Sequence, residues 1–279
     1  IGIISLVILC AGGYWVSRRI QPSPKQKMLF QGVEYIRDVR SSPRPMVIHI
    51  ITVDLQVKGT RIQITPGDPD AELPLEARTT SEFLDDFGVQ VAINGDGFTP
   101  WHSRGFFDYY PHSGDRVDVI GFAASEGVVY SQETDREPRL YFSPIHRARF
   151  NYPIGGEHNV ISGNLMLVKN GKARRELDDS PDPRTAVALD QSNHRLMLLV
   201  IDGRQPGYSE GATLNELAEI IISHGGYTAM NLDGGGSSTM VVESNLGNAN
   251  ILNSPINNRI PGRERPIGNH LGIYAKPLP

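Results

Sequence analysis

Cysteine is almost absent from this chain of 279 residues, because Cys10 is the only one and it lies in an apolar N-terminal segment. The rest of the chain therefore has neither a disulfide nor a thiol nucleophile. An excess of positive charge is missing as well, since 27 Lys and Arg stand against 31 Asp and Glu. This overall balance does not favour a nucleic acid, so we expect no nucleic-acid partner.

Long apolar runs are also missing, with the exception of residues 1–16, which carry no charge and are followed by Arg18 and Arg19. A spanning helix needs roughly 17–25 apolar residues, so this run is at the short end. Because it is terminal and precedes a polar stretch, we interpret it as a signal-anchor or secretory signal rather than a buried core helix. We therefore predict a membrane anchor or signal segment at 1–17, a linker at 18–31 and one extracytoplasmic domain at 32–279.

Short apolar and β-branched segments beyond the linker predict a strand-rich domain, for example at residues 46–55, 184–189 and 227–232. Two helices are indicated. One covers residues 81–87, and the other follows the Thr-Leu-Asn-Glu capping box at 213–216. Two helices are too few for a strict alternation of strand and helix. We therefore expect a single-domain α+β fold with a large mixed sheet.

The segment 231–239 is the sharpest candidate for a site, because it places three consecutive glycines between two apolar strands. Glycine lets a ligand approach the main chain, and successive amide groups in such a loop can bind an anion. Asp233 adds a carboxylate at the strand end. The alternative is a tight Asp-Gly turn. A Walker phosphate loop is excluded, since no Lys follows the glycines. The predicted binding residues are Gly234, Gly235, Gly236, Ser237 and Ser238.

A second glycine-containing segment, Asn94-Gly95-Asp96-Gly97-Phe98, also follows an apolar strand. Asn94, Gly95 and Asp96 offer polar groups and a close approach to the main chain. Trp101 and Phe98 suit the apolar face of a sugar. An Asn-Gly turn with ordinary aromatic packing is the alternative.

Two cationic segments could bind phosphate. Arg184 and Thr185 begin an apolar strand, and Arg265 follows Glu264 late in the chain. Arginine binds phosphate in bidentate geometry better than lysine does. A solvated strand-end arginine and a solvated charge run are the alternatives when each segment is taken alone.

Two other patterns favour different chemistry less strongly. The Gly-Tyr-Ser-Glu-Gly segment at 207–211 matches G-x-S-x-G, but a nucleophile elbow needs its serine directly between strand and helix. A serine hydrolase using Ser209 with His224 or His270 is therefore a minor alternative. The spacing of His102 and His112 matches no zinc pattern, so we assign no metal site. We also assign no cofactor.

Taken together, these segments resemble the phosphodiester glycosidase family over roughly residues 90–275. Relatives often have Asn-Gly-Gly-Phe where this chain has Asn-Gly-Asp-Gly-Phe. The resemblance implies a hydrolase and a substrate class. The matching segments are Asn-Gly-Asp-Gly-Phe at 94–98, Arg-Thr-Ala at 184–186, Asp-Gly-Arg at 202–204, Ser-Glu-Gly-Ala-Thr-Leu-Asn-Glu-Leu at 209–217, Asn-Leu-Asp-Gly-Gly-Gly-Ser-Ser-Thr-Met at 231–240, Glu-Arg-Pro at 264–266 and Asn269.

The resemblance suggests hydrolysis of the bond between a sugar's anomeric carbon and a phosphodiester, with a sugar phosphate or glycan as substrate. The phosphate leaves as an anion, which arginines and the glycine amides could stabilise. Asp233 is the first candidate for the carboxylate that acts at the sugar, Glu264 is the second, and Asp96 and Asp202 are in reserve. The rival hypothesis is a non-catalytic envelope module that binds sugar phosphates or a surface polysaccharide.

Overall fold

The computed structural model describes residues 20–105, 108–132, 137–145, 147–153, 158–174, 177 and 180–279. The predicted anchor or signal segment at 1–17 lies outside these residues. Within the described ranges, no helix has the length and apolar character that crossing a membrane would require.

The largest sheet has eight strands in the order β1-β2-β3-β19-β18-β20-β16-β17. Its central strands are buried because they are apolar along their whole length. The strands of this sheet are β1 (Lys25–Phe30), β2 (Val33–Arg40), β3 (Met46–Asp54), β16 (Leu165–Lys169), β17 (Lys172–Ala173), β18 (Arg184–Leu189), β19 (Arg195–Ile201) and β20 (Thr228–Asn231).

A five-stranded sheet, in the order β22-β21-β6-β23-β4, shares a core with the large sheet. Val187 and Leu198 from the large sheet and Ile93 and Leu271 from the smaller one are fully buried in that core. The two sheets therefore enclose the main hydrophobic layer between them. The strands of this second sheet are β4 (Arg61–Ile64), β6 (Val91–Asn94), β21 (Met240–Glu243), β22 (Ala249–Ile251) and β23 (His270–Tyr274).

Three smaller sheets complete the described strands, in the orders β12-β11-β15-β13-β14, β5-β10-β7 and β8-β9. Their strands are β5 (Leu75–Glu76), β7 (Phe98–Thr99), β8 (His102–Ser103), β9 (Tyr109–Tyr110), β10 (Arg116–Val119), β11 (Ala123–Ser125), β12 (Val128–Ser131), β13 (Arg139–Phe142), β14 (Ala148–Phe150) and β15 (Asn159–Ser162).

Both helices begin at a threonine, as the sequence predicts. Helix α1 (Thr80–Phe87) follows Thr79, and helix α2 (Leu214–Ser223) follows Thr213. Each threonine is the N-cap of a complete capping box, so the first backbone amides of each helix have side-chain acceptors. Helix α2 ends in a Schellman motif, in which the left-handed Gly225 donates to the carbonyl of Ile222 and Gly226 donates to that of Ile221.

The α+β class, the high strand content, the small number of helices and the single domain are confirmed. The expected mixed pairing is corrected, because the ladders between the described strands are antiparallel. Antiparallel neighbours can be joined by short turns, whereas parallel ones need crossovers that two helices cannot supply. The predicted linker at 18–31 also contains the edge strand β1. Its first three residues are polar and exposed, and only Leu29 and Phe30 are partly buried, so its sequence lacks the alternation that indicates a strand.

Candidate active site

The ends of three strands meet at Asn94, which is the last residue of β6 and is fully buried. Its amide nitrogen donates to the carbonyl of Asp233 at 2.7 Å. Its side-chain oxygen accepts from the Thr185 hydroxyl at 2.8 Å and from the Thr239 amide at 3.1 Å. Through these buried hydrogen bonds, Asn94 and Thr185 hold the loop that follows β20 in position. Ser238 belongs to the same layer, since it lies 3.1 Å from the Thr185 hydroxyl.

The triple glycine provides space for two arginines. A Cβ atom on Gly235 would lie 2.9 Å from a terminal nitrogen of Arg204, and one on Gly236 would lie 2.3 Å from a terminal nitrogen of Arg265. Gly235 also has a φ of 62°, in the left-handed region that favours glycine. These glycines therefore let two guanidinium groups lie directly on the loop.

The predicted anion-binding role of the loop amides needs correction at two positions. Gly235 donates its amide hydrogen to the carbonyl of Pro183 at 2.9 Å, and Ser237 donates to the carbonyl of Gly234 at 3.2 Å. A single turn of 3₁₀-helix, Gly235–Ser237, accounts for this geometry. Positive charge at the loop therefore comes mainly from arginine side chains, and less from free amides than the glycine run predicts.

Asp233 lies beside this cationic group. Removal from water raises the pKa of its carboxyl, while Ser237, the Arg265 guanidinium, the Gly234 amide and Arg204 each act in the opposite direction. Arg265 is fixed by donating to Asn257 at 3.1 Å and to the Ser237 hydroxyl at 3.3 Å. The structure thus brings together Asp233, Ser237 and Arg265, which the sequence predicted from two distant segments.

Arg204 is held in place by its partner Asp182, to which it donates two hydrogen bonds of 2.6 and 2.8 Å. Its φ of 57° is unusual for a residue other than glycine, and such outliers cluster at functional sites. Arg204 was not among the predicted binding residues, although it belongs to the Asp-Gly-Arg segment of the family resemblance. The signal that could have identified it is therefore the motif and not its charge.

A second carboxyl group, that of Asp96, lies next to the loop and is 3% exposed. Its two oxygens accept from the amides of Gly97 at 2.7 Å and Gly121 at 2.9 Å. Burial raises the pKa of Asp96 to about 7, and the negative charges of Glu137 and Asp233 act in the same direction. Asp96 therefore holds its proton at a pH where an ordinary aspartate is ionised.

Glu137 is the nearest acidic neighbour of Asp96. A Cβ atom built on Gly121 would lie 2.3 Å from an oxygen of Glu137 and 2.6 Å from an oxygen of Asp96. Gly121 therefore separates two carboxyl groups that lie close together. No motif in the sequence indicated Glu137, because only the fold brings residues 96, 121 and 137 into contact.

The missing side chain at Gly95 lets two segments of the protein pack closely together. It does not open the main chain to a ligand, whereas the sequence predicts that it does. A Cβ atom there would lie 2.2 Å from the side-chain oxygen of Asn269. That oxygen accepts from the Asp96 amide at 2.9 Å, and the main-chain carbonyl of Asn269 accepts from Gly95 at 2.9 Å. Gly95 and Asn269 therefore fix the position of Asp96.

Trp101 borders the site from the solvent side. The Arg265 guanidinium lies 5.2 Å from the centre of its ring, and Tyr109 stacks on it at 5.8 Å. Trp101 is 48% exposed, so its ring is available to a ligand, whereas Phe98 is 8% exposed and belongs to the core. Of the two aromatic residues predicted to suit a sugar, only Trp101 is accessible.

Two predicted site residues, Glu264 and Arg184, form hydrogen bonds with other parts of the protein. Glu264 accepts a hydrogen bond from the Ser81 amide at 3.0 Å, so its carboxylate caps the first turn of helix α1. Arg184 donates to the carbonyls of Ala212 and Ser180, at 3.0 and 2.6 Å. Both side chains thus hold neighbouring segments in place. The sequence shows their charges but does not show these hydrogen-bond partners.

Asp202 is also removed from the reserve of catalytic carboxylates. It is 1% exposed, and one oxygen accepts from Asn253 at 3.0 Å and from the Ser254 amide at 2.8 Å. The other oxygen lies near Tyr208 at 3.2 Å and His49 at 3.3 Å. An acidic group with this many donors and no exposure stabilises the interior and does not meet substrate.

The serine-hydrolase alternative fails on accessibility. Ser209 is fully buried, donates to the carbonyl of Asp202 at 2.6 Å and accepts from the Val47 amide at 3.0 Å. His270 is fully buried as well, and burial lowers its pKa to about 3. Within the described residues, no three His, Cys, Asp or Glu side chains come together as a metal-binding group.

Comparisons with known proteins agree with this architecture. A family model named NAGPA and described as phosphodiester glycosidase matches residues 87–274. The SPbeta prophage-derived uncharacterized protein YomE of Bacillus subtilis (strain 168) is 28% identical over 202 residues, which are 66% of this chain and 27% of YomE. The chain therefore spans only about a quarter of that relative's length.

Two solved structures share the fold. The catalytic domain of zebrafish N-acetylglucosamine-1-phosphodiester alpha-N-acetylglucosaminidase, auto-inhibited by pro-peptide, superposes with a TM-score of 0.62 at 20% identity, covering 93% of this chain and 86% of that one. A protein of Burkholderia pseudomallei K96243 that is inferred to be exported has a TM-score of 0.59 at 14% identity, covering 85% and 75%. From the family match, which spans most of the domain, the chain belongs to the phosphodiester glycosidase family, whose members are glycosidase-type hydrolases.

Proposed function

We propose that the chain hydrolyses the C1–O bond of a sugar-1-phosphodiester and releases a free sugar and a phosphate monoester. The observation that carries this proposal is the position of one carboxyl group, that of Asp233, close enough to Arg265 and Arg204 to feel their charge, while both guanidinium groups lie against Gly235 and Gly236. A carboxylate suits a developing oxocarbenium ion, and guanidinium groups suit a departing phosphate. The site therefore contains both a carboxyl group and two guanidinium groups.

In the proposed reaction, an oxygen atom bonds to C1 while the bond between C1 and the phosphate oxygen breaks. The electron pair of that bond remains on the phosphate. Because the second pKa of a phosphate monoester is about 6, the leaving group departs as an anion and depends on nearby cations. Arg265 and Arg204 are assigned this role, and Arg184 is not, because its donors are directed to main-chain carbonyls.

Asp233 acts in this scheme either as the base that takes a proton from the attacking water, or as the nucleophile at C1, in which case water then cleaves the glycosyl ester and regenerates the carboxylate. Asp96 is the second carboxyl group and keeps a proton to about pH 7. Two neighbouring carboxyl groups are the usual arrangement for glycoside hydrolysis. The exposed ring of Trp101 provides an apolar surface for the sugar.

The decisive experiment measures release of free sugar from a synthetic N-acetylglucosamine-1-phosphodiester, with UDP-GlcNAc as a second substrate. Asp233→Asn should lower kcat by about 10³-fold or more, because it removes the charge at C1 and keeps the shape of the side chain. Glu264→Gln is the matched control. It removes a carboxylate charge from helix α1, so we expect lower stability and a kcat within a few-fold of the unaltered protein.

Near-normal turnover by Asp233→Asn would remove Asp233 from the mechanism. The rival hypothesis, a non-catalytic module, predicts saturable binding of the diester with no release of sugar by the unaltered protein. Substrates without phosphate separate the roles of the arginines. Arg265→Gln should raise KM for the phosphodiester more than for a neutral aryl glycoside, and equal losses on both would contradict phosphate recognition by Arg265.

A further inference from the structure

Three neighbouring cavities that share lining residues lie on one surface. The first, of about 740 Å³, includes Arg149 and Asn193 in its lining, and so does the second, of about 340 Å³. The second shares Lys169 with a third cavity of about 480 Å³. Each is large enough for one small ligand, so the three together suit a chain of repeating units. We call this surface the basic groove.

The lining of the basic groove is cationic. Six fixed positive charges contribute to it, whereas no Asp or Glu among the described residues does so. None of these six side chains has a carboxylate of the described residues within 4.0 Å. The overall charge of −4 therefore conceals a local surface of the opposite sign. The six residues are Lys58, Arg147, Arg149, Lys169, Lys172 and Arg174.

The groove and the Asp233 loop lie at opposite ends of the large sheet. Tyr227, in the lining of the groove, precedes β20, and Asp233 follows it. Six residues in an extended chain span about 20 Å at roughly 3.3 Å per residue. Asn193 precedes β19, whereas Arg204 follows that strand. Along these two strands the lining of the first two cavities therefore lies about 20 Å from the Asp233 loop.

Aromatic rings accompany the charges. Tyr152 is 63% exposed, and the Arg149 guanidinium lies 5.2 Å from the centre of its ring. Tyr227 lines the same cavity. Guanidinium groups bind phosphate in bidentate geometry, and exposed tyrosines contact sugar or polyol units while their hydroxyls form hydrogen bonds. We propose that the basic groove binds a linear polymer of phosphodiester-linked sugars or polyols, at a site separate from the Asp233 loop.

The test uses a fluorescently labelled poly(glycerol phosphate) oligomer of about ten units and the full chain. This probe has no sugar C1–O bond, so it cannot report hydrolysis at the Asp233 loop. Arg149→Gln with Lys169→Gln should weaken binding by at least about tenfold, because two charge-assisted contacts to phosphate are lost. Lys25→Gln with Lys27→Gln, on the far edge strand β1, removes the same charge and should change affinity less than twofold.

Affinity should also fall steeply when salt is raised from about 50 to about 200 mM, since several phosphates are neutralised at once. Arg265→Gln reports binding of the probe at the Asp233 loop and should lower affinity far less than Arg149→Gln with Lys169→Gln does. Equal losses in the two double variants, loss in Arg265→Gln alone, or no binding by the unaltered protein would each overturn the proposal. So would tighter binding of a single-stranded oligonucleotide of equal charge, because the groove would then be a nucleic-acid site. Equal thermal unfolding midpoints ensure that the variants are compared in the folded state.

Discussion

At the scale of single residues, Gly236 controls the position of a guanidinium group. Its missing Cβ leaves space for the guanidinium group of Arg265, which hydrogen bonds to Asn257 and Ser237 hold in place, so a methyl group at position 236 must displace it. We therefore predict that Gly236→Ala lowers the thermal unfolding midpoint and lowers kcat/KM for a sugar-1-phosphodiester by about tenfold or more, since one charged hydrogen bond contributes roughly 1.5–3 kcal/mol.

A double-mutant cycle identifies the route of this effect. If Gly236→Ala acts by displacing Arg265, adding it to Arg265→Gln should cause little further loss, because the displaced group is already gone. Additive losses in kcat/KM would mean that the alanine disturbs the loop by another route.

Asp96 makes stability depend on pH. Its folded pKa of about 7 lies above the ordinary value of 3.8, so the folded state binds the proton more tightly than the unfolded chain does. This contribution is fully present below about pH 4 and is lost as the pH rises to about 7. We predict that Asp96→Asn removes a decline in unfolding free energy on the order of 1 kcal/mol per pH unit across this range.

The measurement is urea unfolding of the unaltered protein and Asp96→Asn at several pH values. The difference between the two proteins is the quantity to compare, because His270 contributes with the opposite sign. Its pKa is lowered to about 3 in the folded state, so its contribution is lost as the pH falls. If the difference between the two proteins does not change with pH, Asp96 is ionised in the folded protein throughout.

Ser209 gives a simple test against the esterase alternative. The serine is fully buried and hydrogen-bonded on both sides, so a fluorophosphonate probe should not label the folded protein. Labelling should be absent in mass spectra of the native chain at any pH where it is folded. A probe adduct on Ser209 would restore the hydrolase hypothesis that the structure disfavours.

The sequence predicts site residues correctly where several of them lie in one short motif. Its predictions fail where a charged side chain has a partner that is distant along the chain. Asp233, Ser237 and Arg265 come together as expected because they belong to conspicuous segments. Glu264 and Arg184 are predicted site residues because of their charge and their place in the segments that match the family, yet Glu264 accepts from a helix N-terminus and Arg184 donates to two main-chain carbonyls. Such partners lie far apart along the chain, so no local pattern indicates them.

At the scale of elements, the capping boxes determine where both helices begin. The Thr213 hydroxyl accepts from the Glu216 amide at 3.1 Å, and the Glu216 carboxylate accepts from the Thr213 amide at 2.8 Å. Thr213→Ala should lower the unfolding free energy by about 1 kcal/mol. Thr213→Ser is the control and should retain most of the stability. Chemical denaturation compares them, and equal losses in both variants would contradict the capping role.

How well the sequence predicts the ends of a strand depends on how buried that strand is. Buried strands such as β3 and β18 are predicted to within a residue or two, because apolar and β-branched residues mark them throughout. The edge strand β1 and the two-residue strands β7, β8 and β9 are not predicted. Their pairing depends on neighbours supplied by the tertiary structure, so their own residues carry little signal.

At the scale of the whole molecule, we propose that residues 1–17 associate the domain with a membrane. The support is the uncharged apolar run of residues 1–16. Removing residues 1–19 should transfer the chain from the membrane fraction to the soluble fraction without changing the unfolding midpoint of the domain. Flotation on a density gradient measures this, and unchanged flotation would contradict an N-terminal anchor.

The paired arginines at the glycine loop have an electrostatic consequence for turnover. Asp182 already neutralises Arg204 through two hydrogen bonds, and Asp233, when ionised, balances Arg265. An empty site arranged in this way carries no net charge from these four groups. A singly charged diester binds these guanidinium groups less strongly than the monoester formed from it, which carries about −1.5 to −2 at pH 7. The same groups that favour bond cleavage therefore also retain the product, so turnover depends on how readily the monoester leaves Arg265 and Arg204.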